Sequence, residues 1–234
     1  EYTGAVKGVL LRGAPGAAIV DIAHDIAPQN VREGAWVLLG TYRWFPEGTV
    51  FLCVVDPGVG TERAAIAVKT GRYMFVGPDN GLLAPAVFDD GFVEARRLEV
   101  GQGASRTFHG RDVFAPAAAR LAASGWDPAI GRPLAGIQRI SFHLCGREGE
   151  VVRIDRFGNI ITNLCPEPGR TWWRTRISAG ELPERLPAFR TYAEAPEGEL
   201  FVIENSYGTL EIACKNGSAA GRTGARAGAR IVLE

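Results

Sequence analysis

The chain has 234 residues, 46% of them hydrophobic and 22% charged, and 26 Lys+Arg balance 26 Asp+Glu to a formal net charge of zero. This is a globular composition, long enough for one large domain or two modest ones, and it excludes a disordered chain, a coiled coil and a collagen-like repeat. Zero net charge argues against nucleic acid or an acidic membrane surface as partner, and no apolar run approaches the roughly 18 residues of a membrane helix. A small molecule is the expected partner.

Residues 2–12 follow helical spacing, with Val6, Val9 and Leu10 as apolar positions. They carry neither an initiator Met nor a signal peptide. AAIVDIAH (17–24) predicts a buried strand. Asn30 and Glu33 have capping-box spacing, and Val31, Ala35, Leu38, Leu39 and Tyr42 continue it as a helix. TVFLCVVD (49–56) is almost continuously apolar and predicts a central strand covered on both faces. Short strands follow at 64–69 and 73–77, then the turn PDNG (78–81), then a helix at 111–124 with Asp112 near its positive end. This alternation predicts an α/β N-terminal domain over 1–131, with a central sheet flanked by helices.

From Val151 the pattern changes. VVRID, NIITNL, LFVIEN, TLEIAC and ARIVLE read as short strands with no long helix between them. They predict a smaller all-β domain over 147–234, a barrel, joined by a linker at 132–146. The four cysteines, Cys53, Cys145, Cys165 and Cys214, form no CxxC pair. Cys53 and Cys214 sit in apolar runs, where a thiol acts as a small hydrophobe, and a reduced cytoplasmic setting is expected.

Four segments hold groups able to do chemistry. In VVDPGVGTER (54–63), Asp56 closes an apolar strand just before a sharp turn. Open α/β sheets bind ligands beyond strand carboxyl ends, so Asp56 stands where a catalytic carboxylate stands, and Arg63 can return beside it. The same spacing fits an aspartate capping its own turn beside a surface ion pair. In TFHGRDVF (107–114), His109 and Gly110 precede a helix whose free amides suit an anion or a polarised water. A lone histidine is more often structural, which is how His24 and His143 are read. In IDRFGNIITN (154–163), Asp155, Asn159, Thr162 and Asn163 surround Phe157 and Gly158. An aromatic beside amide and carboxylate suits a purine with an ammonium nearby, and also an Asx-capped turn. ENSYGTLEIA (204–213) is a further polar turn, at a ligand or in a plain hairpin.

Other signals point nowhere. Gly58-x-Gly60 lacks the third glycine and the helix of a dinucleotide fingerprint, no His/Cys/Asp cluster has metal-ligand spacing, and no G-x-S-x-G elbow is present. GRTGARAGAR (221–230) reads as a solvated hairpin rather than a nucleic-acid tract, and Trp172–Trp173 fit an interface patch or a lid.

Together, KGVLLR, DIAHDIAPQNVREGAW, FPEGTVFLCVVDPGVGTER, VGPDNGLL, TFHGRDVFAPAAA, DRFGNIITN and NSYGTLEIA occur in an order that resembles one family nearly end to end. It is the S-adenosyl-L-methionine (SAM) hydroxide adenosyltransferases, or SAM hydrolases, relatives of the bacterial fluorinase and chlorinase. The resemblance implies an N-terminal α/β domain and a C-terminal β-barrel, assembled as a homotrimer with each site between one subunit's N-terminal domain and a neighbour's C-terminal domain. It implies hydrolysis of SAM to adenosine and L-methionine by in-line attack of an activated water or hydroxide on ribose C5′. SAM is then the substrate; no cofactor and no metal are expected. The family's catalytic set maps onto Asp56, Arg63 and His109. Its substrate contacts map onto Phe108 as a wall near the reacting carbon, Asp155 at the methionine end and Asn159 reading adenine. Phe157 and Ser206 fall near adenine and the methionine carboxylate respectively.

The halogenases place a hydroxyl-bearing aromatic where Asp56 stands, a Ser where Gly110 stands and a Thr where Val59 stands. The resemblance is therefore to the hydrolase, with a SAM-dependent halogenase and a non-catalytic SAM- or adenosine-binding protein as alternatives. The family also carries an Asp that holds the ribose hydroxyls, in a segment preceding the present Glu1. SAM binding is expected to weaken wherever that segment is missing.

Overall fold

The helical spacing at the start of the chain folds as α1 (Tyr2–Gly13). The computed structural model describes residues 1–144 and 146–234, so Cys145 lies outside the described residues; two units separate, Glu1–Ser141 and Phe142–Glu234. In the first unit, the Asn30–Glu33 pair starts α2 (Val31–Thr41). Asn30 Oδ1 accepts from the Glu33 N–H at 3.1 Å, and Glu33 Oε2 accepts from the Ala27 N–H at 3.2 Å. The first bond satisfies a donor that the first helical turn leaves without a partner, and the second ties the preceding loop to the helix. There follow β1 (Val50–Leu52), β2 (Ala65–Thr70), β3 (Met74–Pro78), α3 (Ala84–Asp89) and β4 (Phe92–Arg97). A single π turn (Gly110–Phe114) then leads directly into α4 (Ala115–Ser124), and β5 (Arg132–Leu134) completes the unit.

The five strands form one sheet in the order β1-β3-β2-β4-β5, parallel only between β1 and β3. The strand covered on both faces is β2, buried at every position except Lys69. Ala65, Ala67, Val76, Val113, Phe114, Ala118 and Leu121 form a core beneath α4. A second cluster of rings holds β1 and β3 together, with Phe51 stacked on Phe75 at 5.1 Å and Tyr42 edge-on to Tyr73 at 5.6 Å.

Two sequence expectations fail here for one reason. TVFLCVVD gives only the short edge strand β1, not a central one, and residues 17–24 form no strand. Both segments line the same cavity, of about 940 Å³. That gap leaves β1 and residues 17–24 with no ladder partner on the facing side, and a strand exists only through such pairing.

In the second unit, the elements are β6 (Glu148–Ile154), β7 (Ile160–Thr162), β8 (Trp172–Ile177), β9 (Arg185–Pro187), β10 (Leu200–Glu204), β11 (Leu210–Cys214), the short α5 (Ala219–Thr223) and β12 (Arg230–Leu233). The sheet order is β10-β11-β7-β6-β12-β8-β9, antiparallel throughout. A bridge from Ala188, just past β9, to Val202 in β10 draws the two edges together into a near-barrel. Its interior holds Val151, Ile160, Trp173, Val202, Ile212 and Ile231.

Trp173 is therefore core, only 2% exposed, and is neither lid nor interface; Trp172 on the opposite face is 41% exposed. The expected hairpin at 221–230 is also absent. Residues 219–223 are helical, Gly224 ends that helix in the left-handed region, and Ala225 and Ala229 enter the core. Cys53, Cys165 and Cys214 are free thiols. Among the described residues, no helix is long and apolar enough to cross a membrane.

Candidate functional site

Asp56, Arg63 and His109 meet in the first unit. The Arg63 guanidinium grips the Asp56 carboxylate with two hydrogen bonds, Nε to Oδ1 at 2.9 Å and Nη2 to Oδ2. Nη2 also lies 3.1 Å from His109 Nδ1. The Arg63 and Asp56 side chains are 8% and 6% exposed, and His109 is buried. This is a buried charge pair, not a surface one. Nη1 of Arg63 is buried with no hydrogen-bond partner among the described residues, and the guanidinium rests over the Phe114 ring at 5.2 Å.

Local sequence builds this meeting. The turn after Asp56 is held by Val59 N–H to the Asp56 carbonyl at 3.3 Å and by Thr61 Oγ1 donating to the Gly58 carbonyl at 2.7 Å. Gly60 has φ +77°, and a Cβ there would lie 2.4 Å from the Arg106 carbonyl oxygen. Only glycine lets the two loops approach so closely. The Asn80 side chain, in the PDNG turn, donates to the Val55 carbonyl at 2.9 Å and so fixes the backbone just before Asp56. His109 caps the π turn, where the Asp112 carboxylate accepts from the Ser105 N–H at 2.8 Å and pairs with Arg111. Those contacts hold the Asp112 pKa down at about 2.

The electrostatics settle the histidine's state. Burial and then the neighbouring Arg63 charge lower its pKa from the ordinary 6.5, which keeps the ring neutral at neutral pH. Arg63 only donates, so Nδ1 accepts and the ring proton sits on Nε2. Asp56, Phe108, His109 and Gly110 all line the cavity of about 940 Å³. The Phe108 ring meets Tyr2 edge-on at 5.1 Å and lies under Arg111 at 5.0 Å. A Cβ on Gly110 would touch that ring at 3.3 Å.

Asp155, Phe157, Asn159 and Ser206 belong to the second unit. Asp155 Oδ1 accepts from the N–H groups of Phe157 and Asn159, both at 2.9 Å, and its Oδ2 accepts from Asn159 Nδ2 at 3.0 Å. The Asx-capped turn is thus real. It does not exclude a ligand, because it leaves the Phe157 ring 70% exposed beside the buried Asn159. Gly158 has φ +85°, and a Cβ there would meet Ser218 Oγ at 2.0 Å. Ser206 sits exposed on a turn pinned by Asn205, whose Oδ1 accepts from the N–H groups of Tyr207 at 2.9 Å and Thr209 at 3.2 Å. His24 pairs with Asp21 at 2.9 Å and lines the same cavity as Asp56 and His109. No group of three or more His, Cys, Asp or Glu able to hold a metal occurs among the described residues.

Sequence reasoning passed over Asn80, Phe114 and Tyr192. Asn80 was visible only as turn chemistry and Phe114 only as an apolar helix position. The Tyr192 hydroxyl accepts from Asn159 Nδ2 at 3.1 Å and donates to Glu211.

The comparisons with known proteins follow this division of the chain. Residues 1–130 match the model of the SAM hydroxide adenosyltransferase N-terminal domain, and residues 149–232 that of the C-terminal domain. An (R)-S-adenosyl-L-methionine hydrolase of Thermus thermophilus is 41% identical, over 99% of this chain and 94% of its own. A fluorinase of Nocardia brasiliensis is 30% identical, over 88% of this chain and 83% of its own. The crystal structure of an uncharacterized conserved protein from Thermotoga maritima superposes with a TM-score of 0.89 at 34% identity, covering 100% of this chain and 95% of that one.

Proposed function

Because the chain belongs to the SAM hydroxide adenosyltransferase family, we propose that it hydrolyses S-adenosyl-L-methionine to adenosine and L-methionine. The observation that carries this reading is the single guanidinium of Arg63 bonded at once to Asp56 and to His109 Nδ1, with the carboxylate and the imidazole both on the cavity wall. The hydrolase named for Thermus thermophilus is also closer in identity than the fluorinase, 41% against 30%.

The chemistry follows from charge. The sulfonium of SAM is a cation, and methionine leaves as a neutral thioether. A water oxygen forms a bond to C5′, the C5′–S bond breaks, and its electron pair goes to sulfur. Attack by hydroxide on the sulfonium annihilates charge, so a dry, low-dielectric site favours it. The difficulty is to generate hydroxide from a water of pKa about 15.7. Asp56 takes the proton. The His109 Nε2–H donates to the oxygen, and the Arg63 charge behind both groups stabilises the negative character that develops. One placed acid–base group contributes about 10²–10⁴-fold, so alignment behind the ribose methylene supplies much of the remainder.

Phe108 forms the wall near C5′. Asp155 receives the methionine ammonium, Ser206 the methionine carboxylate, and Asn159 and Phe157 the adenine. The assembly proposed is a homotrimer in which these two sets complete one another between subunits. No resident cofactor or metal takes part, and the setting is cytoplasmic. The test is incubation of the purified protein with each sulfonium epimer of SAM, with and without chloride, followed by chromatography. Adenosine and methionine in equal amounts support the reading, with the (R) epimer preferred as in the relatives' names. 5′-Chloro-5′-deoxyadenosine would make the protein a halogenase, and tight binding without methionine release would make it a binding module.

A further inference from the structure

Glu211 lies on β11 inside the apolar run LEIAC, is only 5% exposed, and has no role in the chemistry above. Burial and the nearby Asp155 charge raise its pKa. Its carboxylate accepts from the Tyr192 hydroxyl, and the Asn205 side chain lies beside it. It therefore touches the turn that carries Ser206 and, through Tyr192, the turn that carries Asn159.

The direction of these bonds has a consequence. The Tyr192 hydroxyl donates to Glu211, so its one proton is spent there and it meets Asn159 as an acceptor. Asn159 must then present Nδ2 to Tyr192, at 3.1 Å, and its other Nδ2 proton goes to Asp155 Oδ2 at 3.0 Å. Both amide protons are consumed inside the protein. Only Oδ1, an acceptor, remains for a ligand.

We propose that Glu211 and Tyr192 are positioning residues that fix Asn159 with its carbonyl oxygen outward, and so select a purine bearing a 6-amino group over one bearing a 6-oxo group. This rests on the reading that Asn159 meets the base. The adenine amino group donates to Oδ1; the oxygen of hypoxanthine would face Oδ1 as a second acceptor, and a site built to meet a donor rejects a ligand that lacks it. Tyr192→Phe keeps the ring and removes the hydroxyl, leaving one Nδ2 proton without its partner and the amide free to turn.

The experiment measures calorimetric affinities for adenosine and inosine, and kcat and KM for SAM and its deaminated 6-oxo analogue. It compares the parent protein with Tyr192→Phe, Glu211→Gln and Asn159→Ala. The parent is expected to favour adenosine over inosine. Tyr192→Phe is expected to raise the KM for SAM about tenfold with kcat nearly unchanged, and to shrink the adenosine/inosine preference about tenfold. Glu211→Gln, which can offer Tyr192 a donor as well as an acceptor, shifts both in the same direction by a smaller factor. A loss of packing alone would weaken both nucleosides equally and leave their ratio intact. If Asn159→Ala binds SAM like the parent, the placement of Asn159 at the base fails. If Asn159→Ala is weak while Tyr192→Phe and Glu211→Gln keep the parental ratio, the positioning role is overturned.

Discussion

Asp56→Ala should destabilise the first unit as well as silence it. In the native protein the Arg63 charge is buried at 8% side-chain exposure, and Asp56 is its bonded counter-ion. Its other direct contacts, the neutral His109 and the Phe114 ring, carry no countercharge, and Asp79 acts on it only through space. Removing one member of a buried pair costs about 3–5 kcal/mol, because the remaining charge stays desolvated and uncompensated. Native-state hydrogen exchange at the slowest amides of β2 and β3 reads the opening of this unit directly. At 1.4 kcal/mol per tenfold, those amides should exchange about 10²–10⁴-fold faster in Asp56→Ala. Asp56→Ala with Arg63→Met should recover most of the loss, since the orphaned charge goes with the arginine. Acceleration of less than about tenfold in the single variant, or a double variant that loses the sum of both singles, would refute the claim that burial makes this pair mutually dependent.

Other expectations follow from the same geometry. His109 has a pKa below 6.5, so the unfolded chain takes up its proton first as pH falls. The neutral ring thus contributes stability that is fully present above 6.5 and lost as pH falls through the lowered folded value. The kcat/KM profile should be flat near neutrality and fall only below that lowered value; an acid limb at or above 6.5 contradicts the assignment. Gly60→Ala places a Cβ 2.4 Å from the Arg106 carbonyl at φ +77°, which should cost more than 1 kcal/mol in urea denaturation and reduce kcat by separating Asp56 and His109; parental turnover speaks against that role. Trp173→Ala, at 2% exposure in the second core, should cost about 3–5 kcal/mol in thermal unfolding, where a surface lid residue would cost almost nothing.

The parts of this fold legible in the sequence were those governed by local chemistry. The Asn30–Glu33 cap, the glycine turns after Asp56 and Phe157, and the strands around Ile160 and Ile212 announce themselves through neighbours a few residues away. Residues 17–24 show the limit. Their apolar run is real, but a strand needs a partner, and pairing is a property of distant chain that a local pattern does not contain. The same holds for TVFLCVVD, whose apolar character predicts a central position although β1 is an edge. By contrast, β8 carries a local signal that the reading of Trp172–Trp173 as an interface patch or a lid misses: Trp173 and Thr175 are buried while Trp172, Arg174 and Arg176 face out, a period-two alternation. In the candidate site, Asp56 and His109 stood out by their place at a strand end and before a helix. Glu211 gave its own signal, a carboxylate inside LEIAC, but its partner Tyr192 lies 19 residues away across the sheet.

The most direct test of the account is a turnover of SAM in ¹⁸O-water with mass analysis of both products. The predicted result is one ¹⁸O in the 5′-hydroxyl of adenosine, unlabelled methionine, and no label incorporation above background in Asp56→Ala or His109→Ala. Adenosine formed without the heavy oxygen, or label appearing at the parental rate in either variant, would contradict a water aligned by these side chains behind C5′.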